Sequence, residues 1–93
     1  MSVANYTHNR LRAVKLCTAE GDLCQAEQLL RQCLSHVEEK YGSQSLDAAY
    51  IGSELATVLE HQGKQEESNR FLEKVRKILL DELRNANPDS KID

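Results

Sequence analysis

Two glycines 42 residues apart, Gly21 and Gly63, organise this chain, because the apolar residues around one fall into register with those around the other. Upstream of the glycines, Ala13 matches Leu55, Val14 matches Ala56, Leu16 matches Val58 and Cys17 matches Leu59. Downstream, Ala26 matches Ser68, Leu29 matches Phe71, Leu30 matches Leu72, Cys33 matches Val75 and Val37 matches Leu79. A chain that repeats one amphipathic pattern on both sides of a glycine reads as helix, turn, helix, used twice. Residues 21–34, GDLCQAEQLLRQCL, are the clearer copy. There Leu23, Ala26, Leu29, Leu30, Cys33 and Leu34 recur at helical spacing and form one wide stripe. Ala26 and Cys33 are small and mark places where a neighbouring helix approaches closely.

Taken in order, the chain reads as four helices. The first spans about 4–20, with Asn5 or Thr7 as candidate caps, Leu11, Val14 and Leu16 as larger apolar groups, and Gly21 as its stop. Asp22 is a suitable cap for the second, which runs to about residue 40 with Val37 as its last apolar anchor. Glu27 and Arg31 are spaced for an i, i+4 pair on a solvated face. Residues 41–45 form the longest loop, with Ser43 or Ser45 available to cap the third helix, which ends near Gln62. Gly52 lies inside that helix at a cost of about 1 kcal/mol relative to Ala, which points to a close helix crossing. The fourth helix spans about 65–84 and carries Phe71, Leu72, Val75, Ile78, Leu79 and Leu83 on one stripe. Residues 1–7 are expected to fray. Pro88 discourages helix at Asn87, and a disordered tail is expected over 85–93.

Composition narrows the function classes. The 93 residues make one domain, 40% hydrophobic and 29% charged, with four Gly, one Pro and no Trp, which suits a helical protein better than a sheet of many short strands. The net charge of −3 and the absence of a basic cluster longer than the mixed run at 74–77 argue against nucleic-acid binding. Apolar runs such as residues 78–80 are too short for a membrane span or a signal-peptide core. No targeting segment is evident, which favours a cytosolic or nuclear location. Three cysteines, Cys17, Cys24 and Cys33, contain no CxxC pair and close no simple disulfide framework, so a reducing compartment is the plainer reading.

The repeat resembles the tetratricopeptide repeat, over roughly residues 7–80. In the first unit Val14, Gly21, Leu23, Ala26 and Cys33 fall on that family's small and large positions; in the second, Ala56, Gly63, Leu72 and Val75 do. Ser68 stands where the family usually has alanine and Gln65 where it usually has a large apolar group, which suggests a degenerate last repeat or an edge facing solvent. The long period and the loop EEKYGSQSLDAA are similar to the 42-residue variant of kinesin light chains. The same stretch with ELATVLEHQGKQEES looks, more loosely, like the C-terminal helical region of SET-and-MYND lysine methyltransferases, though neither the SET core nor the MYND zinc cysteines are present. That second likeness implies an appendage stabilising or regulating such an enzyme. The first implies an all-α fold of right-handed α-hairpin repeats, four antiparallel helices forming about two repeats (about 4–40 and 45–84).

Chemistry has little support in these residues. Cys33 and His36 at i, i+3 can touch on a helix, but no signature of oxyanion donors or a cleft accompanies them, so no enzyme activity is expected. Cys17 and Cys33 read as core residues rather than metal ligands, and Cys24 as the accessible thiol. Glu38-Glu39 and Glu66-Glu67 diverge around their helices and read as solvated charges. No cofactor or metal is expected.

Binding of a protein or peptide remains. The resemblance implies that the first helices of the two units line a groove, at His8, Leu11, Lys15 and Thr18 in one and Tyr50, Ser53, Thr57, Glu60 and His61 in the other. This mix suits hydrogen bonding, with Tyr50 as the energetic anchor. The clamp by which some members grip a chaperone's terminal carboxylate is not matched: Leu11, Lys15 and Glu54 occupy the corresponding places, and Glu54 and Glu60 favour a basic or polar ligand instead. Two repeats are few for a stable stack. A homodimer through Ile78, Leu79, Leu80 and Leu83 is a further expectation, since three consecutive apolar residues cover more than one helix face.

Overall fold

The computed structural model describes the backbone of residues 3–86 and the side chains of residues 9–85. Four helices account for most of it: α1 (Val3–Ala19), α2 (Leu23–Tyr41), α3 (Leu46–His61) and α4 (Gln65–Ala86). No strand occurs among the described residues. The chain is all-α, as its periodicity predicts. Asn5 and Thr7 lie within α1 and do not cap it, because the helix already begins at Val3. At the other end Asn85 and Ala86 continue α4, and the remainder of the expected tail, 87–93, lies outside the described residues.

The turns after α1 and α3 are built alike. Gly21 and Gly63 take φ of +81° and +83°, the left-handed region that side chains resist. The Gly21 N–H donates to the Thr18 carbonyl at 3.0 Å and the Asp22 N–H to the Cys17 carbonyl at 2.8 Å. One repeat later, Gly63 donates to Glu60 at 3.0 Å and Lys64 to Leu59 at 2.9 Å. This is the paired-bond helix stop that satisfies last-turn carbonyls. The starts of α2 and α3 are also closed locally. Asp22 Oδ1 accepts from the Gln25 N–H at 3.2 Å, and Ser45 Oγ from the Ala48 N–H at 3.1 Å; each such cap contributes about 1 kcal/mol.

The helices pack in succession, α1 on α2, α2 on α3 and α3 on α4. The main core joins Val14 of α1, Ala26, Leu29, Leu30, Cys33 and Val37 of α2, and Ala48, Ile51, Leu55, Val58 and Leu59 of α3. A smaller cluster of Ala49, Val75 and Ile78 closes the α3–α4 side. Because α3 has helices on both sides, it buries Ala48, Ala49, Ile51, Gly52, Leu55, Ala56, Val58 and Leu59, about half its circumference. Gly52 makes that possible: a Cβ there would stand 3.2 Å from Val75 Cγ2. The crossing is as close as the interior glycine suggests.

Three expectations need correction. Ser68 does not mark a solvent-facing edge; it is fully buried, and its hydroxyl donates to the Ala56 carbonyl at 2.9 Å. It therefore occupies the same tight position as Ala26, with its polarity satisfied. Leu16, matched to the buried Val58, is itself 64% exposed. The six apolar residues of α4 do not share one face. Phe71, Val75 and Ile78 point into the protein, whereas Leu72, Leu79 and Leu83 are exposed. Leu72 and Leu79 each follow an inward position by one residue, a rotation of about 100°, and Leu83 continues their row four residues after Leu79. The result is two adjacent rows, not one stripe.

Candidate interaction surfaces

The expected groove residues stand on α1 and α3, both of which pack on α2. His8 lies in α1, but its side chain is outside the described residues. Leu11 is half-buried and packs against the core, so it serves the fold at least as much as a surface. Lys15 and Thr18 are exposed, and Thr18 Oγ1 donates to the Val14 carbonyl at 2.9 Å.

On α3 the polar residues form a ladder along the helix. Ser53 Oγ donates to the Tyr50 carbonyl at 2.8 Å, and Thr57 Oγ1 to the Ser53 carbonyl at 3.1 Å. His61 Nδ1 lies 2.8 Å from the Thr57 carbonyl. A carbonyl only accepts, so Nδ1 carries the proton, and in the neutral ring Nε2 is left as an acceptor. Serine and threonine hydroxyls on helices often bond back to the preceding turn in this way. The hydroxyl protons are thus committed to the backbone, and this face offers mainly lone pairs. Tyr50, half-exposed, supplies the broad apolar contact beside it, and Glu60 is exposed near its end. The structure brings Tyr50, Ser53, Thr57 and His61 together. The hollows at the α2–α3 loop (Tyr41, Gly42, Ser43, Gln44, Ser45, Leu46, Asp47 and Glu82) and at the α3–α4 turn (Gly63, Lys64, Gln65, Glu66, Glu67 and Arg70) contain none of these residues.

An ionic seam links α2 with α4 and contains the Glu27–Arg31 pair expected from their spacing. Arg31 donates to Glu27 at 2.8 Å and to Glu67 at 2.7 Å, and Lys64 reaches Glu27 at 3.2 Å. Lys74 pairs with Glu38 at 3.4 Å. The Arg31 guanidinium also stands 5.9 Å from the centre of the Phe71 ring, within cation–π range. Burial pushes the Glu27 carboxyl upward, but the bonds and charges of Arg31 and Lys64 outweigh it and hold its pKa below the usual value. Burial likewise works to lower Arg31, and Glu67 and Glu27 together raise it. Arg31 and Glu67 are 36 residues apart, so no local spacing rule announces their pairing.

The cysteines are free: Cys33 buried, Cys17 half-buried and Cys24 exposed. Burial raises the Cys33 thiol, with Arg10 opposing, which is the wrong direction for a nucleophile. Among the described residues no three His, Cys, Asp or Glu side chains converge as metal ligands. No described helix is long and apolar enough to cross a membrane.

The remaining surface feature is the outer row of α4. Shifted back by one repeat, Leu72 and Leu79 fall on Leu30 and Val37 of α2. Leu30 is 0% and Val37 1% exposed, whereas Leu72 is 44% and Leu79 49% exposed. The difference has a plain cause. α2 has α1 on one side and α3 on the other, whereas α4 is packed on α3 and reaches α2 through the ionic seam and the Arg31–Phe71 contact. Ile78 belongs to the inward row and is 2% exposed, so it cannot contribute to any contact made by this surface. Compared with protein-family models, curated proteins and solved structures, the chain matches none.

Proposed function

We propose that the chain is a non-catalytic protein–protein interaction module built of tetratricopeptide-like hairpins. The observation that carries this reading is the contrast between equivalent rows: Leu30 and Val37 are covered, while Leu72 and Leu79 are open. Four large leucines on one helix, Leu72, Leu79, Leu80 and Leu83, exceed the scattered apolar exposure of an ordinary surface. A helix row that is closed by another helix in one repeat is suited to receive a helix in the next.

The polar row of α1 and α3 is the second surface of the module. Lys15, Thr18, Tyr50, Thr57, Glu60 and His61 are all exposed there. With its hydroxyl protons turned to the backbone and Glu54 and Glu60 nearby, it favours an extended peptide that donates hydrogen bonds or carries positive charge. Three free thiols, one of them in the core, fit a reducing cytosolic or nuclear compartment.

The test uses the chain as bait in three forms: unaltered, Leu72→Glu with Leu79→Glu, and Lys15→Glu with Tyr50→Ala. Circular dichroism verifies that each stays helical. Loss of captured protein by one variant assigns the surface, and undiminished capture by both overturns the interaction reading.

A further inference from the structure

We propose that the outer row of α4 is a self-association seam, occupied by the same row of a second copy lying antiparallel about a two-fold axis beside Leu79. The inference rests on the reading of α4 as a helix-receiving surface and adds the identity of its occupant. Leu72, Arg76, Leu79 and Leu83 follow one another at steps of four, three and four residues, the spacing by which two helices interlock side chains. Leu80 widens the row on one flank.

Which helix of a second copy fits is decided by composition. α1 corresponds to α3 in the repeat, but where α3 buries Ile51 and Val58 it has the exposed Asn9 and Leu16. Leu16 is the single large exposed apolar residue among the described side chains of α1. A head-to-tail contact would set four leucines against one. Against another α4, the apolar area on the two sides is equal by symmetry.

Charge selects the direction. Glu73 lies six residues before Leu79 and Arg84 five after it, and both sit on the flank that carries Leu80. Folding two helices antiparallel about Leu79 brings Glu73 of each copy opposite Arg84 of the other, so the favourable pair occurs twice. A parallel pair would instead put this flank of the two copies on opposite sides of the seam, and neither favourable pair would form. Within one chain these side chains have only weak holds, Arg76–Glu73 at 3.3 Å and Arg84–Asp81 at 3.9 Å, and all four are more than half exposed. They are free to exchange partners when a second α4 arrives. The stem of Arg76 then covers the facing leucines while its charge reaches water.

Sedimentation equilibrium and native mass spectrometry of the full chain test the proposal. The unaltered chain is expected to pass from monomer to dimer as its concentration rises. Leu79→Glu should weaken the dimer about tenfold or more and leave a helical monomer of unchanged thermal stability, since Leu79 is half exposed. Glu73→Arg and Arg84→Glu should each weaken it about tenfold, and the double variant should recover most of the loss. A chain that stays monomeric up to millimolar concentration overturns self-association. So does a dimer indifferent to Leu79→Glu, or one whose double charge swap fails to recover. If the chain is monomeric while the Leu72→Glu, Leu79→Glu bait still loses its partner, only the occupant is wrong and the helix-receiving surface stands.

Discussion

Ser68 of α4 donates its hydroxyl to the backbone carbonyl of Ala56 in α3 at 2.9 Å, with no part of the serine reaching solvent. The position is tight and polar at once. Ser68→Ala loses a buried bond of about 1 kcal/mol but regains part of it as helix propensity, so its net cost should stay below about 1 kcal/mol. Ser68→Leu has no room and should cost about 1–3 kcal/mol. Ala26→Leu, one repeat earlier and equally buried, should behave the same way. Urea unfolding with unchanged slopes reads both, and a neutral leucine at either site would show that the crossing there is loose.

Gly52 and Val75 form a second coupled pair. Alanine at 52 gains about 1 kcal/mol of helix propensity, but its Cβ meets Val75 Cγ2 at 3.2 Å. Gly52→Ala alone should therefore be close to neutral. In a Val75→Ala background, itself destabilised by the lost methyl groups, the same change should stabilise by the full gain of about 1 kcal/mol. Equal effects in the two backgrounds would mean that the contact carries no energy.

The three thiols should separate kinetically. Cys24 is exposed and Cys33 is buried with its pKa raised, so an alkylating reagent at mildly alkaline pH should label Cys24 first, Cys17 later and Cys33 only when α2 opens. Peptide mapping after timed quenching checks the order. Early labelling of Cys33 would contradict its place in the core.

Acid stability should report the ionic seam. The folded-state pKa of Glu27 lies below its ordinary value of 4.5. Its contribution is therefore complete above that ordinary value and is lost as pH falls through the lower, folded one. Glu27→Gln should lower stability near neutral pH and flatten the fall in unfolding midpoint between about pH 5 and about pH 3. A variant whose acid limb remains as steep as that of the unaltered chain would place the titration elsewhere.

Helix positions were legible because the residues that end and begin helices act locally. Gly21 and Gly63 need only the preceding turn to close, and Asp22 and Ser45 only the following one. The close approach at Gly52 was legible too, since an interior glycine is a local cost with a spatial cause. The division of α4 into two rows was not. Periodicity registers that Phe71 and Leu72, or Ile78 and Leu79, lie near one another, but which is buried depends on how many neighbours the helix has. The Arg31–Glu67 pair was hidden for a similar reason, being a product of how α2 and α4 lie against each other. On the polar face of α3, the residue types were visible in the sequence; their donors being turned to the backbone emerges from Ser53, Thr57 and His61 in place.

The placement of α3 between two helices sets an order of opening. α1 has its main contact with α2 and, among its described side chains, buries Val14 alone. Its described side chains therefore hold the smallest share of the core. Detaching α4 would bare Ala49 and Gly52, and α3 itself cannot leave without dismantling the protein. Amide hydrogens should therefore exchange fastest in α1 and slowest in α3, whose protection approaches the global unfolding free energy. The helix least able to stand alone in water is thus the last to exchange with it.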